Sequence, residues 1–428
     1  MAIIATFALL ALFLATRMPV AFALGVCGMI GLYLTVGGTV TNGLVGIIPF
    51  RNSASLLLTT IPMFILMAEL LSQCRIIPDV FKFVTALVGR VRGGLAMATI
   101  LANAGLGSVS GSSSATTGAL ASITVPRMRA QGYSSALATG VVSAAGTLAV
   151  MLPPSIPLII YGITTETSIG KLFIAGIVPG IITAVSYAVV VYIWGARSPE
   201  TVPVGERYSW RQKVGAARGV WPAFVLMGIV LGGIYSGAIT PTEAGAVGAV
   251  GAFIIAVAVG GLRFDGFIVA VRNAIRITAM VIIIVIGASL FGAFLVASGL
   301  TEDVLTTLVD SGLPSMLIVV LIVGVYLFLG AIMDELAILL LTLPLTFPLV
   351  TGLGYDPIWW GVVVVKTVQI GLEAPPVGMN VFVVSGISGV PLQTAYRGAI
   401  RFILAELVVL ALLLAIPSIS TFLPTHMG

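Results

Sequence analysis

GLGSVSGSSSATT, residues Gly105–Thr117, is a small, polar, flexible run inside a strongly apolar sequence. In water such a loop is ordinary. At bilayer depth it is not, because exposed backbone N–H and C=O groups are costly there. Irregular backbone persists at that depth only where protein buries it or where it lines a polar cavity. Two questions follow: whether the chain is a membrane protein, and what the run binds.

Composition answers the first. Of 428 residues, 59% are hydrophobic and 8% are charged, against roughly 25% charged in a soluble domain. Apolar runs of spanning length recur at Val220–Gly237, Ile277–Ala297 and Arg401–Leu423. The chain reads as an all-α polytopic membrane protein. Its net charge of +5 belongs to loops and does not point to nucleic acid. Cys27 and Cys74 sit in apolar segments without a CxxC pattern, which argues against a disulfide or a zinc site. The single histidine, His426, is in the C-terminal tail, so histidine-based metal or acid–base chemistry is not expected. Met1–Leu14 resembles a signal sequence, but Arg17, Met18, Pro19 and a further apolar run follow at once. It reads as a retained first helix.

Outward from the opening run, Gly93–Met128 has two apolar arms, each shorter than a full span. Arg90 and Arg92 precede it, and Arg127 and Arg129 close it. The segment reads as a helical hairpin that enters and leaves on one side, its tip at Ser108–Ser114. Ser135–Ile163 is long enough to span but is interrupted at Pro153-Pro154, where missing donors break a helix. Pro314–Val350 is a second pair of short arms, around Gly330-Ala331-Ile332-Met333-Asp334-Glu335. Ile358–Ile387 is a second broken helix, interrupted at Glu373–Gly378. Elsewhere, spans are expected at about Ala2–Ala15, Pro19–Tyr33, Leu56–Leu71, Leu172–Trp194, Val220–Gly237, Glu243–Gly261, Ile277–Ala297 and Arg401–Leu423. Thr41–Ser55, Arg75–Arg92 and Thr301–Asp310 read as interfacial pieces, the second amphipathic. Ala196–Gly219 reads as a polar linker.

Orientation follows from Lys and Arg. With both termini outside, every basic residue but Arg51, Lys171 and Lys366 falls on the cytoplasmic side. Counting each hairpin as two crossings leaves that result unchanged. Charge therefore supports the sidedness, while re-entry rests on the short arms and polar tips.

The two hairpin-plus-broken-helix units align without gaps at an offset of 222 residues. Pro126 matches Pro348, Gly132-Tyr133 matches Gly354-Tyr355, Pro153-Pro154 matches Pro375-Pro376, and Gly176 matches Gly398. Ser108 is set against Gly330, Ser112 against Asp334 and Ser155 against Val377. An odd number of crossings separates the units, so the second is expected inverted. Inverted repeats with broken helices in matching places point to a secondary transporter with its site between the repeats.

Each break exposes one half-helix N-terminus and the C-terminal carbonyls of another. Carbonyls suit Na⁺, and N-termini suit a carboxylate. The plainer reading of the Ser/Gly run is close helix packing in lipid; its length and its matched partner favour a site. Asp334 has two readings, a functional intramembrane carboxylate or the N-cap of the second arm. Lys366 also has two, attraction of an anion or pairing with Glu373. No nucleotide motif is visible. A channel motif and the clustered acid–base residues of a membrane enzyme are also lacking, so no enzymatic activity is expected.

GSVSGSSSATTGAL, GTLAVMLPPSIPLIIYGI, LGAIMDELAILLLTLPLTFPLV and IGLEAPPVGMNVFVVSGI, in this order, resemble the large membrane (M) subunit of tripartite ATP-independent periplasmic (TRAP) transporters. The similarity spans essentially the whole chain. It implies an elevator-type fold in the inner membrane. Scaffold helices would lie at 1–74, 220–297 and 401–428, and interfacial arms at 75–92 and 298–313. Transport units would lie at 93–195 (hairpin 93–128, broken helix 133–165) and 314–400 (hairpin 314–350, broken helix 357–388), with a cytoplasmic linker at 196–219. It further implies Na⁺-driven symport of a carboxylate-bearing organic acid. A periplasmic substrate-binding protein would deliver the solute, and a small four-helix membrane subunit would complete the scaffold. The chain begins directly in the large subunit's pattern, so that small subunit is expected as a separate chain. A related ion-coupled carboxylate transporter working without a binding protein is the alternative.

Carried over by motif, the resemblance implies one Na⁺ near Ser108, Ala149, Leu152 and Ser155. It implies a second near Gly330, Gly371, Ala374 and Val377. The solute would lie near Ser112, Ser155 and Asp334. The family commonly has Gly where Ala149 stands and Thr where Ala374 stands, and the missing threonine hydroxyl removes a ligand from the second position.

Overall fold

The computed structural model describes residues 2–110, 113–205 and 208–426. Its elements are α-helices: α1 (Ala2–Ala15), α2 (Val20–Ser53), α3 (Thr60–Ser72), α4 (Ile76–Val88), α5 (Gly94–Ser110), α6 (Ser113–Ala130), α7 (Ser135–Met151), α8 (Ile156–Thr164), α9 (Ile169–Arg197) and α10 (Trp210–Tyr235). They continue as α11 (Pro241–Ala258), α12 (Phe264–Ala297), α13 (Leu300–Asp310), α14 (Ser315–Gly330), α15 (Glu335–Gly352), α16 (Pro357–Gly371), α17 (Met379–Ser388), α18 (Leu392–Ala415) and α19 (Ser418–Thr425). Among the described residues there is no strand, only an isolated bridge between Arg92 and Val204. Among the described residues seven helices are long and apolar enough to cross a membrane, and eight if the bent pair α7–α8 counts as one span.

The helix order repeats at the offset seen in the residues. Helix α6 shifted by 222 positions coincides with α15 at both ends, and α5, α7 and α8 fall on α14, α16 and α17 within a few residues. The turns after the two hairpins match as well, with Gly132 at φ 91° and Gly354 at φ 89°. Both Pro–Pro peptide bonds are cis.

One packing group joins α2 to α12 and α3 to α11. Lipid supplies no hydrophobic drive between helices, so close approach through small residues does the work. A Cβ on Gly28 of α2 would lie 2.6 Å from the Leu290 backbone of α12. The other group sets α7 against α5, α6, α9, α16, α17 and α18. At its centre α7 is buried from Leu137 to Met151. Helix α4 packs on α5 and α10, and α12 meets the second hairpin through α15.

Four expectations are corrected. The span expected to end at Tyr33 continues as helix to a kink at Gly37 with φ 78°, and Thr41–Ser53 forms a further helical stretch beyond it. Its polar groups are satisfied in place: Thr41 Oγ1 donates to Gly37 O at 2.8 Å, and Asn52 Nδ2 donates to Ser289 Oγ on α12 at 2.9 Å. The linker 196–219 is helical at both ends, because a Ser209–Gln212 capping box starts α10 ten residues before the apolar run. Helix α12 likewise begins at Phe264, ahead of its apolar part. The last span begins at Leu392 and stops at Ala415, with α19 following Pro417, so a division at 400/401 falls inside α18.

Candidate functional site

The first hairpin brings the end of α5 onto α7. A Cβ on Gly107 would overlap Ala149, so the two backbones touch there. Helix α7 ends at Met151, and Leu152 leaves it in an extended conformation (φ −84°, ψ 133°). Pro153 and Pro154 follow, and Ser155 restarts the helix. Its Oγ accepts a bond from Leu158 N at 3.4 Å, which caps α8. Ser155 is buried, as is Ala149, while Leu152 is half-buried. The break therefore leaves the last carbonyls of α7 without helical partners, beside the hairpin.

The second unit repeats this backbone contact, slightly less closely. A Cβ on Gly330 would lie 2.8 Å from Gly371 Cα. The break that follows Gly371 is longer than the first, running to the left-handed Gly378 (φ 47°) at the head of α17. It is tied to the hairpin tip by Val377 N donating to Ala331 O at 3.2 Å. Ala374 is half-buried and Val377 is exposed. Asp334 is the N-cap of α15: its Oδ1 accepts from Leu336 N at 3.1 Å. Glu335, beside it, is buried and its Oε2 has no partner.

The units also cross. Helix α17 packs on α6, and α8 packs on α15. Asn380, in the first turn of α17, donates from Nδ2 to Ser113 Oγ at the head of α6, 2.7 Å away. Asn380 Oδ1 and Thr117 Oγ1 are buried without partners nearby, and so are both polar atoms of Asn103 on α5. Orphaned polar atoms of this kind are rare in a folded interior and mark places where water, an ion or a ligand completes the bonding.

Between the two broken helices lies an ion pair, the only one among the described residues. Lys366 Nζ is 2.9 Å from Glu406 Oε1, and both side chains are 0% exposed. Tyr187 OH of α9 donates to the same oxygen. Thr147 Oγ1 of α7 lies 2.9 Å from it. The direct partner of the Lys366 ammonium is thus Glu406, forty positions on, and Glu373 interacts with it electrostatically without a hydrogen bond. A pair taken this far from water persists only with such additional bonds.

Comparison with known proteins places this geometry. Residues 7–419 match the model of the family described as tripartite ATP-independent periplasmic transporter, DctM component. The chain belongs to this family. It is 37% identical over 380 residues to the C4-dicarboxylate TRAP transporter large permease protein DctM of Pseudomonas aeruginosa, covering 89% of this chain and 88% of that one. It is 33% identical to the sialic acid TRAP transporter large permease protein SiaM of Vibrio cholerae, covering 86% of each. Among solved structures, the Alcanivorax borkumensis YdaH transporter superposes with a TM-score of 0.64 over 89% of this chain and 88% of that one. At 16% identity that likeness concerns the fold alone. The protein is thus a TRAP large subunit and a multi-pass membrane protein.

For this TRAP subunit the structure gathers the expected positions by unit. Ala149, Leu152 and Ser155 flank the first break, while Gly330 and Gly371 touch at the second, with Ala374 and Val377 just beyond. Ser108 lies in the last turn of α5, and Ser112 lies outside the described residues. The structure also brings forward Glu373, Asn380, Glu406 and Asn103, which sequence reasoning did not place in the site. Glu406 lies inside an ordinary-looking apolar span, and its charge there was the signal that could have found it.

Proposed function

We propose that this TRAP large subunit couples a Na⁺ gradient to the inward movement of a carboxylate-bearing organic acid across the inner membrane. The observation that carries the reading is the paired contact of hairpin tip and helix break, Gly107 on Ala149 and Gly330 on Gly371. Each contact brings unpaired half-helix carbonyls against a second backbone, the oxygen-rich setting a small hard cation needs. The N-termini of α8 and α15, capped by Ser155 and Asp334, favour the negative end of a solute between them. C4-dicarboxylates and sialic acid, for which two relatives are named, are carboxylic acids, which supports this solute class.

In this reading the two hairpin–broken-helix units move together against α1–α3 and α10–α12, with α4 and α13 as interfacial arms. Solute and ions ride with the moving block, and the second unit is inverted with respect to the first. A periplasmic binding protein supplies the solute, and a small membrane subunit completes the scaffold. Both termini lie on the periplasmic side.

The test is uptake of radiolabelled carboxylates into proteoliposomes that hold both membrane subunits. Accumulation should require an inward Na⁺ gradient and the loaded binding protein. Uptake indifferent to Na⁺ would refute the coupling. Equal uptake without the binding protein would favour a carboxylate transporter that works alone.

A further inference from the structure

Five polar atoms on three side chains, two at the end of α16 and one on α18, have no hydrogen-bond partner: Gln369 Oε1 and Nε2, Glu373 Oε1 and Oε2, and Glu406 Oε2. All three residues are at most 1% exposed. Lys366, Gln369 and Glu373 follow at i, i+3 and i+7, which sets them within about 60° of one another round α16. The chain keeps helical φ and ψ through Leu372. Glu406 is joined to this face by its 2.9 Å bond to Lys366. Glu373 interacts electrostatically with both Glu406 and Lys366.

The charge does not balance. One ammonium faces two carboxylates, all three side chains 0% exposed, and an uncompensated buried carboxylate is strongly unfavourable. A divalent ion would reverse the imbalance, whereas a monovalent one cancels it. A proton on Glu373 would also cancel it, but a proton supplies one donor to five orphaned atoms. A hard cation engages several oxygens at once. The three side chains offer four unpartnered oxygens: both of Glu373, Oε2 of Glu406 and Oε1 of Gln369.

We propose that Gln369, Glu373 and Glu406 form a buried monovalent-cation site, distinct from the ion positions at the hairpin tips. Gly371, whose backbone meets Gly330, is two residues from Glu373 and about 160° away round the helix. The face that carries Lys366 is thus the one joined to Glu406 of α18, which Tyr187 of α9 also contacts. Taking Na⁺ as the ion rests on the Na⁺-coupled reading above.

The experiment counts ²²Na⁺ bound per large subunit, with the two membrane subunits together in nanodiscs, for the wild type and for Glu373→Gln. The expected result is one Na⁺ fewer in the variant. Glutamine closely mimics a protonated glutamate, so an unchanged count and affinity would show that Glu373 carries a proton and would overturn the site. Gln369→Leu keeps every charge and should weaken one class of bound Na⁺ at least tenfold. If Glu373→Gln does not fold, unchanged binding in Gln369→Leu overturns the site on its own. Na⁺-driven uptake by the wild type, measured alongside, separates the two readings. Normal coupling with an unchanged Na⁺ count refutes this site and leaves the function standing. A count that falls by one, with uptake indifferent to Na⁺, does the reverse. A wild type that binds no Na⁺ refutes both.

Discussion

Replacing Lys366 by methionine keeps the length of the side chain and removes its charge. Glu406 and Glu373, both 0% exposed, then remain buried without the ammonium that acts on both. Breaking a buried pair from one side costs about 3–5 kcal/mol, because it leaves a charge uncompensated. The reverse change, Glu406→Gln, should cost less, about 1–3 kcal/mol. Lys366 keeps Glu373 as a neighbouring counterion, and the glutamine oxygen still accepts from Tyr187. The double variant should therefore lose less than the two singles together. Equilibrium unfolding in mixed micelles at rising SDS fraction measures this, followed by the fluorescence of buried Trp359 and Trp360. Equal costs for the two single variants, or strict additivity, would refute the asymmetric three-charge arrangement.

Other expectations concern the tips and the seam. Asp334→Ala removes both cap and charge, whereas Asp334→Asn keeps a capping side chain and removes only the charge. A residue that is only a cap should lose about 1 kcal/mol of stability in the first and transport normally in the second; depressed uptake in both assigns it to the solute or ion. Gly330→Val drives a side chain into Gly371 and should abolish Na⁺-dependent uptake while the protein elutes as a monodisperse peak. Wild-type uptake would show that the contact is not needed. Gly28→Leu forces α2 from α12, and overpacking of this kind costs about 1–3 kcal/mol. A lowered melting temperature with residual uptake is expected, and an unchanged melting temperature would argue against the seam.

Much of the architecture was legible because it is written in local signals. Pro153-Pro154 and Pro375-Pro376 cannot sit within an unbroken helix, so both breaks fell where the residues place them. The short arms of Gly93–Met128 and Pro314–Val350 became α5–α6 and α14–α15. Helix ends were less legible where polar residues continue a helix. Thr41, Asn52 and Arg211 look like loop residues, yet the first two bond within the helix or to α12, and the third lies inside a capping box. Polarity marks the membrane boundary, and a helix need not stop there. In the candidate site, Ser155 and Asp334 were legible as residues at half-helix starts. Whether Asp334 does more than cap could not be read from its neighbours in the chain.

The chain by itself determined the membrane class, the hairpins, the breaks and their repetition at 222 positions. These depend on hydropathy, on proline and glycine, and on spacing, all carried by neighbours in sequence. Tertiary structure decided which polar groups meet. Ser113 and Asn380 are 267 positions apart, and Thr147 and Glu406 are 259 apart. Such meetings depend on how far each packed helix is rotated and translated against the next. Every side chain in the bundle sets those quantities together, and no local pattern records them. That is why Lys366 found Glu406, and why Glu373 was left beside the pair with both oxygens unpartnered.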